Sequence, residues 1–122
     1  MKDAIILFAH GSRDPQWAAP MHAIRELLSR KRPQSQITLA FLELMQPDLH
    51  GAVAQAAARG AQRVTVVPLF LAAGGHLKKD LPELVAQCAR AFPQLQFEVL
   101  PPIGESEALI EAIANWVCDA LH

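Results

Sequence analysis

Ala4-Ile5-Ile6-Leu7-Phe8-Ala9 is an unbroken apolar run that stops at His10-Gly11-Ser12-Arg13. It reads as a strand buried on both faces, as strands are in a parallel sheet covered by helices. A second run, Val64-Thr65-Val66-Val67-Pro68-Leu69-Phe70-Leu71, leads in the same way to Gly74-Gly75-His76. A buried strand delivers its next residue to the mouth of the sheet, where open α/β folds bind ligands, and glycine there lets a bulky partner approach the backbone. His10 and His76 are therefore candidate metal ligands.

The intervening segments supply the helices. Asp14-Pro15 offers an N-cap followed by proline at the first helical position, and Met21, Ile24, Leu27 and Leu28 recur at helical spacing up to about Lys31. Ile37 to Leu42 forms a second strand ending at Glu43, and Pro47 opens a helix carrying Leu49, Val53, Ala56 and Ala57 that Gly60 closes. The third strand spans about Arg63 to Phe70, with Pro68 marking irregularity near its end. Asp80 and Glu83 stand at capping-box spacing before the stripe Leu81, Leu84, Val85 and Cys88. A fourth strand, Gln96 to Leu100, precedes Pro101-Pro102-Ile103-Gly104 and a last helix with Leu109, Ile110, Ile113, Trp116 and Val117 on one face.

Strands alternating with helices imply a parallel sheet, because parallel strands need crossovers and the crossovers here are helical. The fold class is α/β: a four-stranded parallel sheet of order 2-1-3-4, flavodoxin-like, with helices on both faces. In that order His10 and His76 leave the carboxyl ends of neighbouring strands about 4.8 Å apart. Glu43 ends the strand on the other side of the first and lies within reach of the same crevice.

Composition narrows the function. At 122 residues and 52% hydrophobic, the chain matches one domain, residues 1–122, with a packed core. Eleven Lys plus Arg against twelve Asp plus Glu give a formal charge of −1, so no basic field draws nucleic acid. No apolar stretch is long enough to span a membrane and Met1-Lys2-Asp3 opens no secretory signal, so no membrane partner and a cytoplasmic location are expected. Cys88 and Cys118 lie far apart at apolar helical positions and read as buried thiols. His22, His50 and His122 read as solvated or packing residues.

His10-Gly11-Ser12-Arg13, Phe41-Leu42-Glu43 ahead of Pro47-Asp48-Leu49, and Val67-Pro68-Leu69-Phe70-Leu71 leading to Gly74-Gly75-His76 and Asp80-Leu81-Pro82 together resemble the small sirohydrochlorin cobalt chelatases of the chelatase fold. The resemblance runs through the whole chain in order. It implies an ATP-independent class II-type metal chelatase, a lyase of cobalamin biosynthesis, that inserts Co²⁺ into the tetrapyrrole sirohydrochlorin. It places the metal-binding histidines at His10 and His76 and a neighbouring carboxylate at Glu43, all three with catalytic roles. Ser12, Arg13, Lys78 and Lys79 are the implied partners of the substrate's carboxylates. The divalent metal is a substrate, no organic cofactor is implied, and a homodimer would supply the second wall that a flat macrocycle needs. The chain lacks the histidine-rich stretch and cysteine cluster of some relatives. Imidazole suits nickel and iron as well as cobalt, so a nickel or iron chelatase is the rival reading within enzymology. Outside it stand a non-catalytic metal or tetrapyrrole carrier and a phosphate binder centred on Gly11-Ser12-Arg13.

Overall fold

The chain folds as four strands and four main helices around one parallel sheet. In the computed structural model, which describes residues 2–72 and 74–121, these are β1 (Asp3–Ala9), α1 (Ala19–Lys31), β2 (Gln36–Phe41), α2 (Leu49–Ala58), β3 (Arg63–Pro68), α3 (Gly75–Ala91), β4 (Gln96–Val99) and α4 (Glu107–Ala120). His122 lies outside the described residues. The sheet order is β2-β1-β3-β4 and every pairing is parallel, as the sequence predicts.

The continuous apolar character of β1 has a direct cause, since helices cover both of its faces. Ile6 and Phe8 are fully buried on the side of α2 and α3, together with Val64 and Val66 of β3. Leu7 and Ala9 are buried on the other side with Leu39 and Phe41 of β2, beneath α1. Burying each large apolar side chain contributes roughly 1.5–3 kcal/mol, so the central strand anchors the core. Leu7 lies level with Leu39 on one neighbour and Val67 on the other, which brings the ends of three strands to one mouth.

Local chemistry sets most boundaries. The Asp14 carboxylate accepts the Gln16 N–H at 3.0 Å, but the turn it caps is a 3-10 segment, Pro15–Ala18, and α1 proper begins at Ala19. Asp48 caps α2 by accepting the Gly51 N–H at 2.8 Å, and Gly60, at φ 89°, closes it. β3 ends at Pro68, earlier than expected; the proline offers no ladder donor, although the Leu69 N–H beyond it still donates to the Phe8 carbonyl at 2.8 Å.

Two expectations are corrected. The third helix begins at Gly75, not at the Asp80 capping box; Asp80 is interior to it, and Glu83 pairs with Arg90 at 3.3 Å. His76 is therefore a first-turn helical residue. The Cys118 thiol is exposed, while Cys88 is buried and its thiol pKa is raised by desolvation and the Asp48 charge. Cys118 is exposed because α4 itself packs on neither face of the sheet and buries none of its residues.

Asp3, at the start of β1, ties that strand to the α1–β2 turn. Its carboxylate accepts the Ser35 hydroxyl at 2.8 Å and the Arg32 guanidinium at 3.2 Å. The Ser35 hydrogen bond, aided by Arg32, outweighs burial and lowers the Asp3 pKa. A depressed folded pKa contributes stability above the unfolded value, about 3.9, and loses it as pH falls through the folded value. Asp3→Asn should cost less than about 1 kcal/mol at neutral pH, as befits a partly exposed pair. In urea unfolding the gap between variant and wild type should close below pH ~4. An unchanged gap at low pH would refute this linkage.

Candidate functional site

The site starts where β1 and β2 run out together. Beyond the strand ends the ladder continues for two more residues: the Leu42 N–H donates to the Ala9 carbonyl at 2.9 Å and the Glu43 N–H to the His10 carbonyl at 3.1 Å. Glu43 is thereby held level with His10, although β2 itself ends at Phe41. The side chains meet at 3.0 Å, His10 Nε2 to Glu43 Oε1, and each is about 55% exposed.

Gly11 makes this approach feasible. Its φ is 100°, and a Cβ there would lie 1.8 Å from the Glu43 carbonyl oxygen. Only glycine satisfies both the backbone angle and the space. Leu44, just beyond Glu43, also takes a left-handed φ of 68° and leaves its side chain exposed. A non-glycine residue there carries roughly 1–2 kcal/mol of strain. No sequence signal marks Leu44, nor the ring of Phe70, which stands edge-on to the His10 imidazole with centroids 6.4 Å apart.

The arrangement offers two kinds of chemistry. With Nε2–H donating to Glu43, His10 Nδ1 retains a lone pair for a metal, and the carboxylate fixes the ring's tautomer. Alternatively both groups can take one ion. Ligand bonds of about 2.0–2.2 Å place adjacent donors roughly 3 Å apart, which is the separation seen between Nε2 and Oε1. The same pair also accepts protons.

The other candidates are dispersed around this pair. His76 is exposed in the first turn of α3, and no group of three His, Cys, Asp or Glu converges among the described residues. The structure thus joins His10 with Glu43 and does not add His76 as a third ligand. Ser12 Oγ accepts the Asp14 N–H at 3.1 Å, a turn-forming role, and keeps its own O–H to donate. Arg13, Lys78 and Lys79 are exposed, and none makes an ion pair among the described residues. A cavity of about 650 Å³ opens nearby between α3 and β4, lined by Leu77, Leu81, Val85, Val99 and Pro102 with Lys78 at its edge. Its walls are mostly apolar, with Glu105 the one carboxylate among its lining residues, whereas His10 and Glu43 stand as a pair of donors in contact. No helix among the described residues is long and apolar enough to cross a membrane.

Known proteins share this architecture. The chain is 30% identical over 119 residues to the sirohydrochlorin ferrochelatase of Bacillus subtilis (strain 168), covering 98% of this chain and 46% of that one. It is 29% identical over 119 residues to a sirohydrochlorin cobaltochelatase of Saccharolobus islandicus (strain Y.G.57.14 / Yellowstone #1), covering 93% of this chain and 91% of that protein. The crystal structure of a CbiX protein from Marinobacter aquaeolei VT8 superposes with a TM-score of 0.86 at 34% identity, over 97% of this chain and 96% of that one. The chain spans about half the length of several curated relatives it matches, the Bacillus protein among them. The CbiX family model matches residues 4–120, and the protein belongs to that family.

Proposed function

We propose that the protein is an ATP-independent cytoplasmic chelatase that inserts Co²⁺ into sirohydrochlorin. The observation that carries this reading is the His10–Glu43 pair, a nitrogen and an oxygen donor 3.0 Å apart and open to solvent at the mouth of the sheet. An exposed pair of this kind adds little to stability. Its placement suits access by an ion and a macrocycle.

His10 presents the metal, with His76 supplying a further imidazole from the start of α3. Because no closed four-ligand cage forms among the described residues, the ion keeps water ligands that the ring nitrogens replace one by one. Insertion breaks two pyrrole N–H bonds and forms four metal–nitrogen bonds, so two protons must leave per turnover. The Glu43 carboxylate takes a proton once metal or His10 is no longer its partner, and passes it to solvent. Ser12, Arg13, Lys78 and Lys79 surround the pair with donors for the substrate's carboxylates. A second copy of the chain supplies the opposite wall for the flat macrocycle, in a two-fold homodimer.

Cobalt is favoured over iron by the curated relatives matched along nearly their whole length. The Saccharolobus cobaltochelatase match covers nearly all of both proteins, whereas the ferrochelatase matches, like that to the Methanopyrus kandleri cobaltochelatase, cover about half of the longer partner. Ni²⁺ and Fe²⁺ remain chemically competent at the same ligands. With sirohydrochlorin and equal Co²⁺, Ni²⁺ and Fe²⁺ under anaerobic conditions, the Soret band should report the cobalt product first. Dominant iron or nickel product would reassign the metal.

His10→Ala and His76→Ala should each lower kcat/KM for insertion by at least about 100-fold, and Glu43→Gln by about 10–100-fold, with far-ultraviolet circular dichroism unchanged. Wild-type rates in both histidine variants would sink the site assignment. Tight binding of metal and macrocycle by the wild type without turnover above background would make the protein a carrier.

A further inference from the structure

The loops beyond β2 and β3 each hold one large apolar side chain out in solvent beside the His10–Glu43 pair. Leu44, next to Glu43, is 55% exposed, and Leu71, next to Phe70, is 65% exposed. The other large apolar side chains exposed among the described residues lie on α1, at the β4 edge, or on α4 and its C-cap.

Single exposed leucines are common on protein surfaces and by themselves signify little. These two differ in how they are held. Leu44 stands between anchored neighbours: the Glu43 N–H donates to the His10 carbonyl at 3.1 Å, Met45 packs into the cluster beneath α1, and the Phe41 N–H closes the loop on the Pro47 carbonyl at 2.9 Å. At φ 68° its backbone also occupies the left-handed region, which leucine enters at a cost and which glycine or asparagine enters readily. No burial of its side chain offsets that cost. Strain of this kind concentrates where a chain meets a ligand.

Leu71 is fixed by a different route. Leu69 packs into the α1-side cluster and Phe70 into the one beneath α2 and α3, which ties the segment to both layers of the core. Gly104, in the 3-10 turn Ile103–Glu105, donates its N–H to the Phe70 carbonyl at 3.1 Å. A Cβ on Gly104 would fall 1.6 Å from the Leu71 carbonyl oxygen, so the Leu71 backbone is seated directly on that turn and its side chain alone is free.

β2 and β3 lie on opposite sides of β1, so the two leucines flank His10. The flanking strands are two strand spacings apart, roughly 10 Å. A tetrapyrrole presents a flat apolar ring and a rim of carboxylates. Ser12, Arg13, Lys78 and Lys79 match the rim and leave the ring face unmatched. We infer that Leu44 and Leu71 are substrate-contact residues, which receive the apolar face of the macrocycle on either side of His10 and keep it level over the metal. Apolar contact suits this task, because it adds affinity without competing for the ion. The inference rests on the chelatase reading and names residues which that reading does not use.

Leu44→Asn and Leu71→Ser test it. The first keeps the side chain's approximate size and suits the left-handed backbone, so its thermal midpoint should be no lower than that of the wild type. Metal-free sirohydrochlorin is titrated by its fluorescence, beside steady-state insertion of Co²⁺ and sedimentation velocity. Each variant should weaken macrocycle binding and raise its KM by about 10-fold, the effect of losing one partly covered apolar side chain. The kcat at saturation and the affinity of the free protein for Co²⁺ should hold, and Leu44→Met should bind the macrocycle as the wild type does. The ratio of variant to wild-type Kd should be the same at low and high salt, since apolar contact is not screened as the Arg13 and Lys78 charges are. Wild-type Kd and KM in both variants would overturn the inference and leave the His10–Glu43 assignment standing. Weakened self-association with unchanged macrocycle affinity would give the leucines to a protein contact and would overturn it too. A wild type that neither binds nor metallates the macrocycle would remove the inference together with the function it rests on.

Discussion

The close contact of Gly11 with the Glu43 backbone is the constraint from which the site follows. The positive φ and the absent Cβ let the two chain segments approach until the His10 carbonyl accepts the Glu43 N–H. With the backbones locked, only the side-chain rotamers of His10 and Glu43 are left to order when a ligand arrives. The site is thus built by main-chain geometry, and its side chains are left open to solvent. This division explains how a pair that adds little stability stays in place. Its position is fixed by the buried residues Ala9 and Phe41, immediately behind it, and by the ladder that runs past them.

Much of this is legible in the sequence because it rests on burial that repeats along one strand. β1 is apolar at every position after Asp3 since it lies between two strands and under two helical layers, and that pattern, with the alternating helices, points to the order 2-1-3-4. Glu43 beside His10 follows from the same order. The start of α3 is not legible, because Gly74 caps without a side chain while Asp80 and Glu83 imitate a capping box in the helix interior. Likewise periodicity shows that α4 has an apolar side but carries no information on what covers it. The position of Cys118 on an exposed helix was lost for the same reason. Leu44 and Phe70 gave no local signal because their roles arise from long-range packing.

Ligand economy also bears on turnover. A four-ligand cage of thiolates or imidazoles holds a divalent ion tightly enough to act as structure. On the proposed reading, a pair at one sheet mouth would hold the ion loosely and leave several coordination positions to water, which the four nitrogens of a macrocycle could replace without an energy-coupling nucleotide. The cost is weak binding of the free ion, which dehydration of the mouth by an opposing wall would offset by strengthening each charge interaction.

The two parts of the molecule meet at Phe70 and Leu71. The Phe70 ring stands against His10, its carbonyl accepts the Gly104 N–H, and the Leu71 backbone fills the space a side chain at Gly104 would need. The same stretch leads directly into α3 and His76. The segment after β3 is therefore shared: it flanks the His10 ring, seats the turn that precedes α4 and leads to the first turn of α3, so a change of backbone at Gly104 would bear on His10 through Phe70.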